Sequence, residues 1–231
     1  MARLPRLVVP GHLHHLVARG HNEQPIAIDD ADFQAFLSSL RESAQQAGVA
    51  IHAYVLLPNR IQLLATPAET GSLGKMMQAI GRQYVPYFNA RYRRSGGLWE
   101  GRFRATVLES DPYFIPCAQL IEQQALQMGL VGEVSAYRWS SHAHHSGRRR
   151  EAWITDHPAY WALGNTPFAR EAAYAELVRT GLANRQLDEL TRSALSGWAL
   201  GSEDFVSELQ LGTSRRLLPG KAGRPFKKPA N

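Results

Sequence analysis

One apolar stretch of the chain decides the fold: Tyr54-Val55-Leu56-Leu57-Pro58-Asn59-Arg60-Ile61-Gln62-Leu63-Leu64. Apolar residues on both sides of the turn pair Pro58-Asn59 predict strand structure. Side chains alternate between the two faces of a strand, so Arg60 and Gln62 point the same way. These two polar side chains, on an otherwise apolar strand, are the first candidate site residues.

The composition indicates a basic protein with one main domain. The chain has 231 residues and a formal net charge of +6. This length suits one sizeable domain with a small appendage, and the basic charge favours nucleic acid as a partner. The single cysteine, Cys117, excludes an intramolecular disulfide and a cysteine zinc finger, and it suits a cytoplasmic location. No apolar run approaches the roughly 20 residues that a membrane helix needs, so no membrane partner is predicted.

Hydrophobic periodicity predicts the order strand, helix, strand, strand, helix, strand, helix. The predicted elements are a strand over 6–19 interrupted at Pro10-Gly11, a helix over 31–47 closed by Gly48, strands over 49–57 and 60–66, a helix over 73–93 that Ser72 caps, a strand over 99–108, and a helix from the cap Asp111 to about Met128. This order predicts an α+β fold, in which helices pack on an antiparallel sheet.

The last third of the chain is predicted to be an appendage. Residues 147–166, with Arg148-Arg149-Arg150, have the composition of a linker, and 167–212 is predicted to be a small helical region. Its helices are expected over 168–180, 184–195 and 203–210, the last capped by Ser202. The remainder, 213–231, holds six basic residues and no acid from Arg215 to Lys228. We expect this basic tail to be disordered until it meets a negative partner.

Motifs in the same order along residues 3–145 resemble the REP-associated tyrosine transposases, HUH enzymes of the IS200-like single-tyrosine superfamily. The Pro58-Asn59 strand resembles the family pattern Y-hydrophobic-M-P-N-H-hydrophobic-H-L-L. The stretch 97–104 resembles G-hydrophobic-aromatic-x-G-R-F/Y-K/R, and 137–141 resembles hydrophobic-x-W-S-S. The resemblance implies a ferredoxin-like HUH domain over 1–146. It also implies DNA transposition in bacterial mobile DNA, with Mg or Mn as cofactor.

The chain departs from the family at the residues that carry its chemistry. The family's two metal-binding histidines correspond to Arg60 and Gln62, and its polar third ligand to Gln124. Arginine is permanently charged and cannot coordinate a cation, and glutamine offers one neutral oxygen. Counting back from Gly129 places Leu120 at the position of the tyrosine nucleophile. We therefore predict a DNA-binding protein that has lost strand cleavage and needs no cofactor, with Arg60 bound to a phosphate.

A relocated nucleophile is the first alternative, in which the protein is a working DNA transesterase. Tyr113 lies seven residues before Leu120, two helical turns away on a similar face. Pro116 between them is expected to distort the helix. A core or capping role is the favoured interpretation of Tyr113.

Histidines form two groups that need an interpretation. His12 and His14 share a strand face, and His142, His144 and His145 cluster near a predicted loop. Several histidines can hold zinc, but no acidic or cysteine partner lies at a useful spacing. We expect surface and half-buried histidines, not a metal site.

The stretch 82–104 is the main predicted DNA interface, because it holds six arginines, one acid and interleaved aromatic residues. Basic side chains bind phosphates with release of counterions, and aromatic rings stack on unpaired bases. The resemblance implies a hairpin of single-stranded repeat DNA as the partner. The predicted DNA contacts are Arg19, Asn22, Arg60, Arg82, Tyr84, Arg91, Arg93, Arg94, Trp99, Arg102 and Arg104, with Lys221, Arg224, Lys227 and Lys228 in the tail.

The C-terminal helices leave a second alternative open. Three short helices have helix-turn-helix proportions, so the protein could regulate double-stranded DNA, with the basic tail as an arm. A simple packed appendage fits the same spacing equally well. Related transposases form dimers, and a homodimer is possible here, although no feature of the sequence decides it.

Overall fold

The computed structural model describes residues 6–218, and the predicted tail contacts Lys221, Arg224, Lys227 and Lys228 lie outside this range. Its centre is one sheet of four strands, which are β1 (Leu13–Arg19), β2 (Val49–Leu57), β3 (Arg60–Pro67) and β4 (Arg104–Leu108). The strands lie in the order β2-β3-β1-β4, and every neighbouring pair is antiparallel. This confirms the predicted α+β fold with a ferredoxin-like sheet.

Eight helices surround the sheet within the described residues. They are α1 (Asp30–Ala47), α2 (Ser72–Arg91), α3 (Ser110–Gln127), α4 (His142–His145), α5 (Pro158–Trp161), α6 (Pro167–Thr180), α7 (Asn184–Ser196) and α8 (Glu203–Leu211). Helix α1 begins where predicted, because the Asp29 side chain accepts hydrogen bonds from the amides of Ala31 and Asp32. It ends at Gly48, whose φ of 64° suits glycine.

The helices cover both faces of the sheet, and this arrangement positions the site. Helices α1 and α2 pack on one face, against side chains such as Ile61 and Leu63. Helix α3 packs on the other face together with α5, α6 and α7. Because β3 side chains alternate, Gln62 and Leu64 point towards α3.

The outer edge of β2 is paired by residues that follow α3. The Leu56 amide donates to the Trp139 carbonyl (2.9 Å), and the Thr155 amide donates to the Ile51 carbonyl (2.8 Å). The stretch 147–166, interpreted as a linker, is therefore packed against the domain, since it caps a sheet edge and buries Ile154 and Tyr160. Its apolar residues Trp153, Ile154 and Tyr160 were the local sign of this packing, although the partners lie far away in the chain.

The C-terminal region is attached to the opposite edge of the sheet. The Leu200 amide donates to the Val107 carbonyl of β4 (2.9 Å), and Thr106 Oγ1 donates to the Ser193 carbonyl of α7 (2.8 Å). Leu190 of α7 is fully buried in the α3 layer. The small helical region is thus part of the same packed body as the sheet.

Several predicted boundaries move. Helix α2 begins at Ser72 itself, so this residue is not the predicted cap, and it ends at Arg91 instead of residue 93. The strand expected over 99–108 begins only at Arg104, because the chain turns at Gly101, where φ is +125°. The first strand begins at Leu13 and not at residue 6. The N-cap of α3 is Glu109, two residues before the predicted Asp111. The predicted cap of α8 is confirmed, because the Ser202 side chain accepts a hydrogen bond from the Phe205 amide.

Candidate functional site

A small pocket lies between β3, β1 and α3 and is closed on one side by α7. Its volume is about 120 Å³. It brings together Arg60 and Gln62 of β3 with Leu120 and Gln124 of α3, the four positions that the sequence singled out for the lost chemistry. The remaining lining residues are His15, Val17, Arg19, Arg104, Thr191, Ala194 and Leu195.

A chain of amide hydrogen bonds crosses this pocket. The His15 Nε2 atom lies 2.9 Å from Gln62 Oε1, Gln62 Nε2 donates to Gln124 Oε1 (3.0 Å), and Gln124 Nε2 donates to Gln127 Oε1 (2.8 Å). Burial lowers the pKa of His15 to about 4, so the ring is neutral at physiological pH. It donates through Nε2, and its buried Nδ1 has no partner among residues 6–218.

The residues present do not fit the divalent metal that the sequence resemblance implies. Hard cations take several oxygen ligands, most often carboxylates. Here Arg60 carries a permanent positive charge, and the oxygens of Gln62 and Gln124 already accept hydrogen bonds within the chain. Between residues 6 and 218, no group of three or more His, Cys, Asp or Glu side chains could hold a metal ion.

Positive charge dominates the pocket in place of a metal. Arg19, Arg60 and Arg104 line it. Glu23 lies 3.9 Å from both Arg19 and Arg60, a distance that leaves room for a stronger anion partner. Burial and the nearby Arg19 lower the pKa of Arg60, and Arg60 Nε donates to Asn59 Oδ1 (3.2 Å). Guanidinium groups placed together in this way suit a phosphate.

Among the described residues, no tyrosine or cysteine lines the pocket. Leu120 occupies the predicted tyrosine position and is only 4% exposed. The Tyr113 hydroxyl donates to Glu189 Oε2 (3.3 Å), and this residue connects α3 to α7 outside the pocket. Cys117 is fully buried, and burial raises the pKa of its thiol.

The other predicted DNA contacts within the described residues lie outside the pocket. Arg82, Arg93 and Arg102 are exposed, and no partner holds them within the part of the chain that the structure describes. Asn22 is exposed in the turn after β1, where its φ is 52°. Arg94 lies over the Phe88 ring and reaches Gln24 Oε1 (3.4 Å).

The predicted contact at Tyr84 is corrected, and two further predicted contacts, Arg91 and Trp99, have partners within the protein. Tyr84 is a core residue, 1% exposed, whose hydroxyl donates to the Ile26 carbonyl (2.6 Å). Arg91 is held in ion pairs with the α1 carboxylates of Asp29 (2.5 Å) and Asp32 (3.0 Å). Trp99 is half-buried against the α1 and α2 layer, so it is mainly a packing residue. In each case the partner comes from α1 or from the stretch just before it. A pattern of neighbouring residues in the sequence cannot show such a distant partner.

The expectation of surface histidines is also wrong. His142 and His145 are buried, and their Nδ1 atoms lie 3.2 and 2.6 Å from the carboxylate of Glu122 in α3. The same carboxylate accepts from Ser141 Oγ (2.5 Å) and the Tyr174 hydroxyl (2.9 Å). The acidic partner that the sequence seemed to lack is thus an α3 residue about 20 positions upstream.

The first histidine group is buried as well. His14 is fully buried, and its Nε2 accepts from the Val9 amide (3.1 Å), while His12 is half-buried beside Phe205. Burial lowers the pKa of His14 to about 4. These rings are packing residues with local partners.

Comparison with solved structures shows that this fold is shared with a REP-associated tyrosine transposase. The structure of a REP-associated tyrosine transposase bound to a REP hairpin is similar over 69% of this chain and 93% of its own length, at 14% identity and a TM-score of 0.56. A candidate transposase from Deinococcus radiodurans R1 is similar over 55% of this chain and 97% of its own length, at 21% identity and a TM-score of 0.37.

Two other comparisons gave no relative. No protein-family model matches the chain, and no curated protein matches it. Among the described helices, none is both long and apolar enough to span a bilayer.

Proposed function

We propose that the protein binds single-stranded hairpin DNA in the cytoplasm and does not cleave it by the metal-dependent tyrosine mechanism. The observation that carries the proposal is the pocket between β3 and α3. There, Arg60 and Gln62 occupy the positions that the resemblance gives to the two metal-binding histidines, and Leu120 occupies the position of the tyrosine nucleophile. A site of this kind binds a phosphate electrostatically and offers no tyrosine hydroxyl to attack it.

Hairpin DNA is the partner that the fold and the charges favour. The similar transposase of 14% identity is bound to a REP hairpin. In this chain, exposed Arg82 lies midway along α2 and exposed Arg93 and Arg102 follow the end of that helix. Arg19 and Arg60 line the pocket. Separate basic groups that follow a surface fit a folded nucleic-acid backbone better than one small anion.

Geometry favours neither alternative. Tyr113, the substitute nucleophile, hydrogen-bonds to Glu189 and does not line the pocket. Helix α7, the central helix of the proposed helix-turn-helix, buries Leu190 and Ser193 against α3 and β4. The inner face of α7 is therefore committed to the domain.

The Arg60→Gln variant tests the proposed phosphate contact. A charge-assisted hydrogen bond contributes about 1.5–3 kcal/mol, so hairpin affinity in EDTA should fall roughly 10- to 150-fold. The slope of log affinity against log salt should become shallower by about 0.7–0.9, the value for one phosphate contact. Arg60→Lys should restore the slope but only part of the affinity, because lysine keeps the charge without the planar fork.

The matched control is Arg179→Gln, which removes one charge from an exposed ion pair on α6. It should leave both the affinity and the salt slope near those of the wild type. If Arg60→Gln behaves like this control, the pocket does not bind phosphate and the proposed function is wrong in its central contact.

A further inference from the structure

A second basic groove runs along α1, away from the pocket between β3 and α3. One wall is a face of α1 that presents Gln34, Leu37, Arg41 and Gln45 at helical spacing, and the other wall is the loop 149–155. The groove has two hollows of about 410 and 490 Å³ that share Arg41 and Trp153. None of its lining residues lines the first pocket.

The groove carries excess positive charge. Four arginines line it (Arg41, Arg138, Arg149 and Arg150), against one carboxylate, Glu151. Glu151 is already engaged, because its side chain is 11% exposed and accepts from the Tyr54 hydroxyl, Trp153 Nε1 and Arg149. Arg41 and Arg150 are exposed, and neither has a partner within residues 6–218. These two guanidinium groups are free to bind an anion.

An aromatic wall stands beside these cations. Trp153 is half-buried and lines both hollows. Its ring packs on Tyr54 with centroids 5.1 Å apart, and its Nε1 donates to Glu151 Oε2 (3.0 Å). The ring is therefore held in one orientation before any ligand arrives. Nearby, Arg138 lies 4.4 Å from the Trp139 ring centroid and is paired with Asp30 (2.7 Å), so the free charge of the groove comes from Arg41 and Arg150.

We propose that this groove binds a short segment of single-stranded nucleic acid, with phosphates on Arg41 and Arg150 and a base against Trp153. The combination of a cationic groove and a fixed aromatic ring is the one that unpaired nucleotides use. From Gln34 to Gln45 the α1 wall spans about 17 Å, long enough for several phosphates. The site uses none of the residues of the hairpin proposal and stands independently of it.

An acidic peptide is the competing ligand, and the sheet edge argues against it. An extended peptide binds best by adding a strand to an exposed edge. The β2 edge beside this groove is already paired, since the Ser141 amide donates to the Tyr54 carbonyl (3.0 Å) and the Thr155 amide to the Ile51 carbonyl (2.8 Å). A peptide would find side-chain charges here but no backbone partners.

The test uses a fluorescent oligothymidine of about eight nucleotides, with the full chain and with the double variant Arg41→Ala/Arg150→Ala. We expect the double variant to lose about tenfold or more in affinity, with a salt slope shallower by about 1.4, the value for two single-strand phosphate contacts. The control Lys75→Ala/Arg179→Ala removes the same charge from two exposed ion pairs and should match the wild type.

Two further arms separate the possible outcomes. An iododeoxyuridine oligonucleotide should crosslink to Trp153, and a hairpin without single-stranded tails should bind the double variant as it binds the wild type. The groove proposal is overturned by an unchanged affinity and slope, by crosslinks only outside 149–155, or by equal competition from polyglutamate. If the wild-type protein binds oligothymidine but does not bind the hairpin, the hairpin proposal alone is overturned.

Discussion

Replacing Glu122 by glutamine should destabilise the fold in a pH-dependent way. Glu122 is fully buried on α3 and accepts from four side chains, which belong to Ser141, His142, His145 and Tyr174. These donors come from the stretch after α3 and from α6. The carboxylate therefore connects the central helix to the C-terminal region, and its loss should loosen both.

The size of the effect follows from the pKa of this carboxyl. Burial alone raises the pKa of Glu122, but His145 and His142 more than offset this and lower it from 4.5 to about 2. The difference, 4.5 − 2, corresponds to roughly 3 kcal/mol of stability at neutral pH. Removing one partner from a buried charged network costs about 3–5 kcal/mol, which agrees with this figure.

The sign of the pH dependence follows from the lowered pKa. A carboxyl whose pKa is lower in the folded state than in the unfolded state stabilises the fold at any pH above the unfolded-state pKa. This stabilisation is lost as the pH falls through the folded-state pKa. The difference in unfolding free energy between wild type and Glu122→Gln should thus shrink to less than half of its neutral-pH value when the pH is lowered from about 7 to about 3.

Urea unfolding followed by tryptophan fluorescence measures this difference at both pH values. The control is Glu176→Gln, which changes an exposed carboxylate on α6 and should leave the midpoint near that of the wild type. The reasoning is refuted if Glu122→Gln is as stable as the wild type at neutral pH, or if its deficit stays constant as the pH falls.

The remaining predictions concern packing and the altered site. Tyr84→Phe loses the hydrogen bond to Ile26 and should lower the unfolding free energy by about 1 kcal/mol while leaving hairpin affinity unchanged. Leu190→Ala, at a fully buried position, should cost about 2–5 kcal/mol in the same unfolding measurement. The double variant Arg60→His/Gln62→His puts two imidazoles on one strand face and should bind Mn²⁺ in calorimetry; failure to bind would mean that other residues also exclude the ion.

Much of the fold could be predicted from local patterns. The cap Asp29 and the glycine at 48 fix both ends of α1, because capping and positive φ are decided within a few residues. Alternation along β3 placed Arg60 and Gln62 on one face, and the structure shows both in the pocket with Leu120. These features depend on short-range geometry, which a sequence contains.

The rest depends on partners that are distant in the chain. Tyr84 lies in a basic, aromatic helix, and only its bond to Ile26, 58 residues away, makes it a core residue. The Glu122 carboxylate contacts His142 and His145, and it also accepts from the Tyr174 hydroxyl, 52 residues away. Histidines that have no acidic neighbour in the sequence therefore gain one in the folded structure. Leu195 of α7 lines the pocket for the same reason, because the fold brings it next to residues that are distant in the chain.

The central claim is that DNA is bound and not cleaved, and one gel experiment tests it most directly. Labelled repeat hairpin is incubated with the full chain in Mn²⁺ or in EDTA, and each mixture is run on a native and on a denaturing gel. The account predicts a native complex of equal affinity in both conditions and no band that survives denaturation. A Mn²⁺-dependent covalent adduct, abolished by Tyr113→Phe, would contradict it.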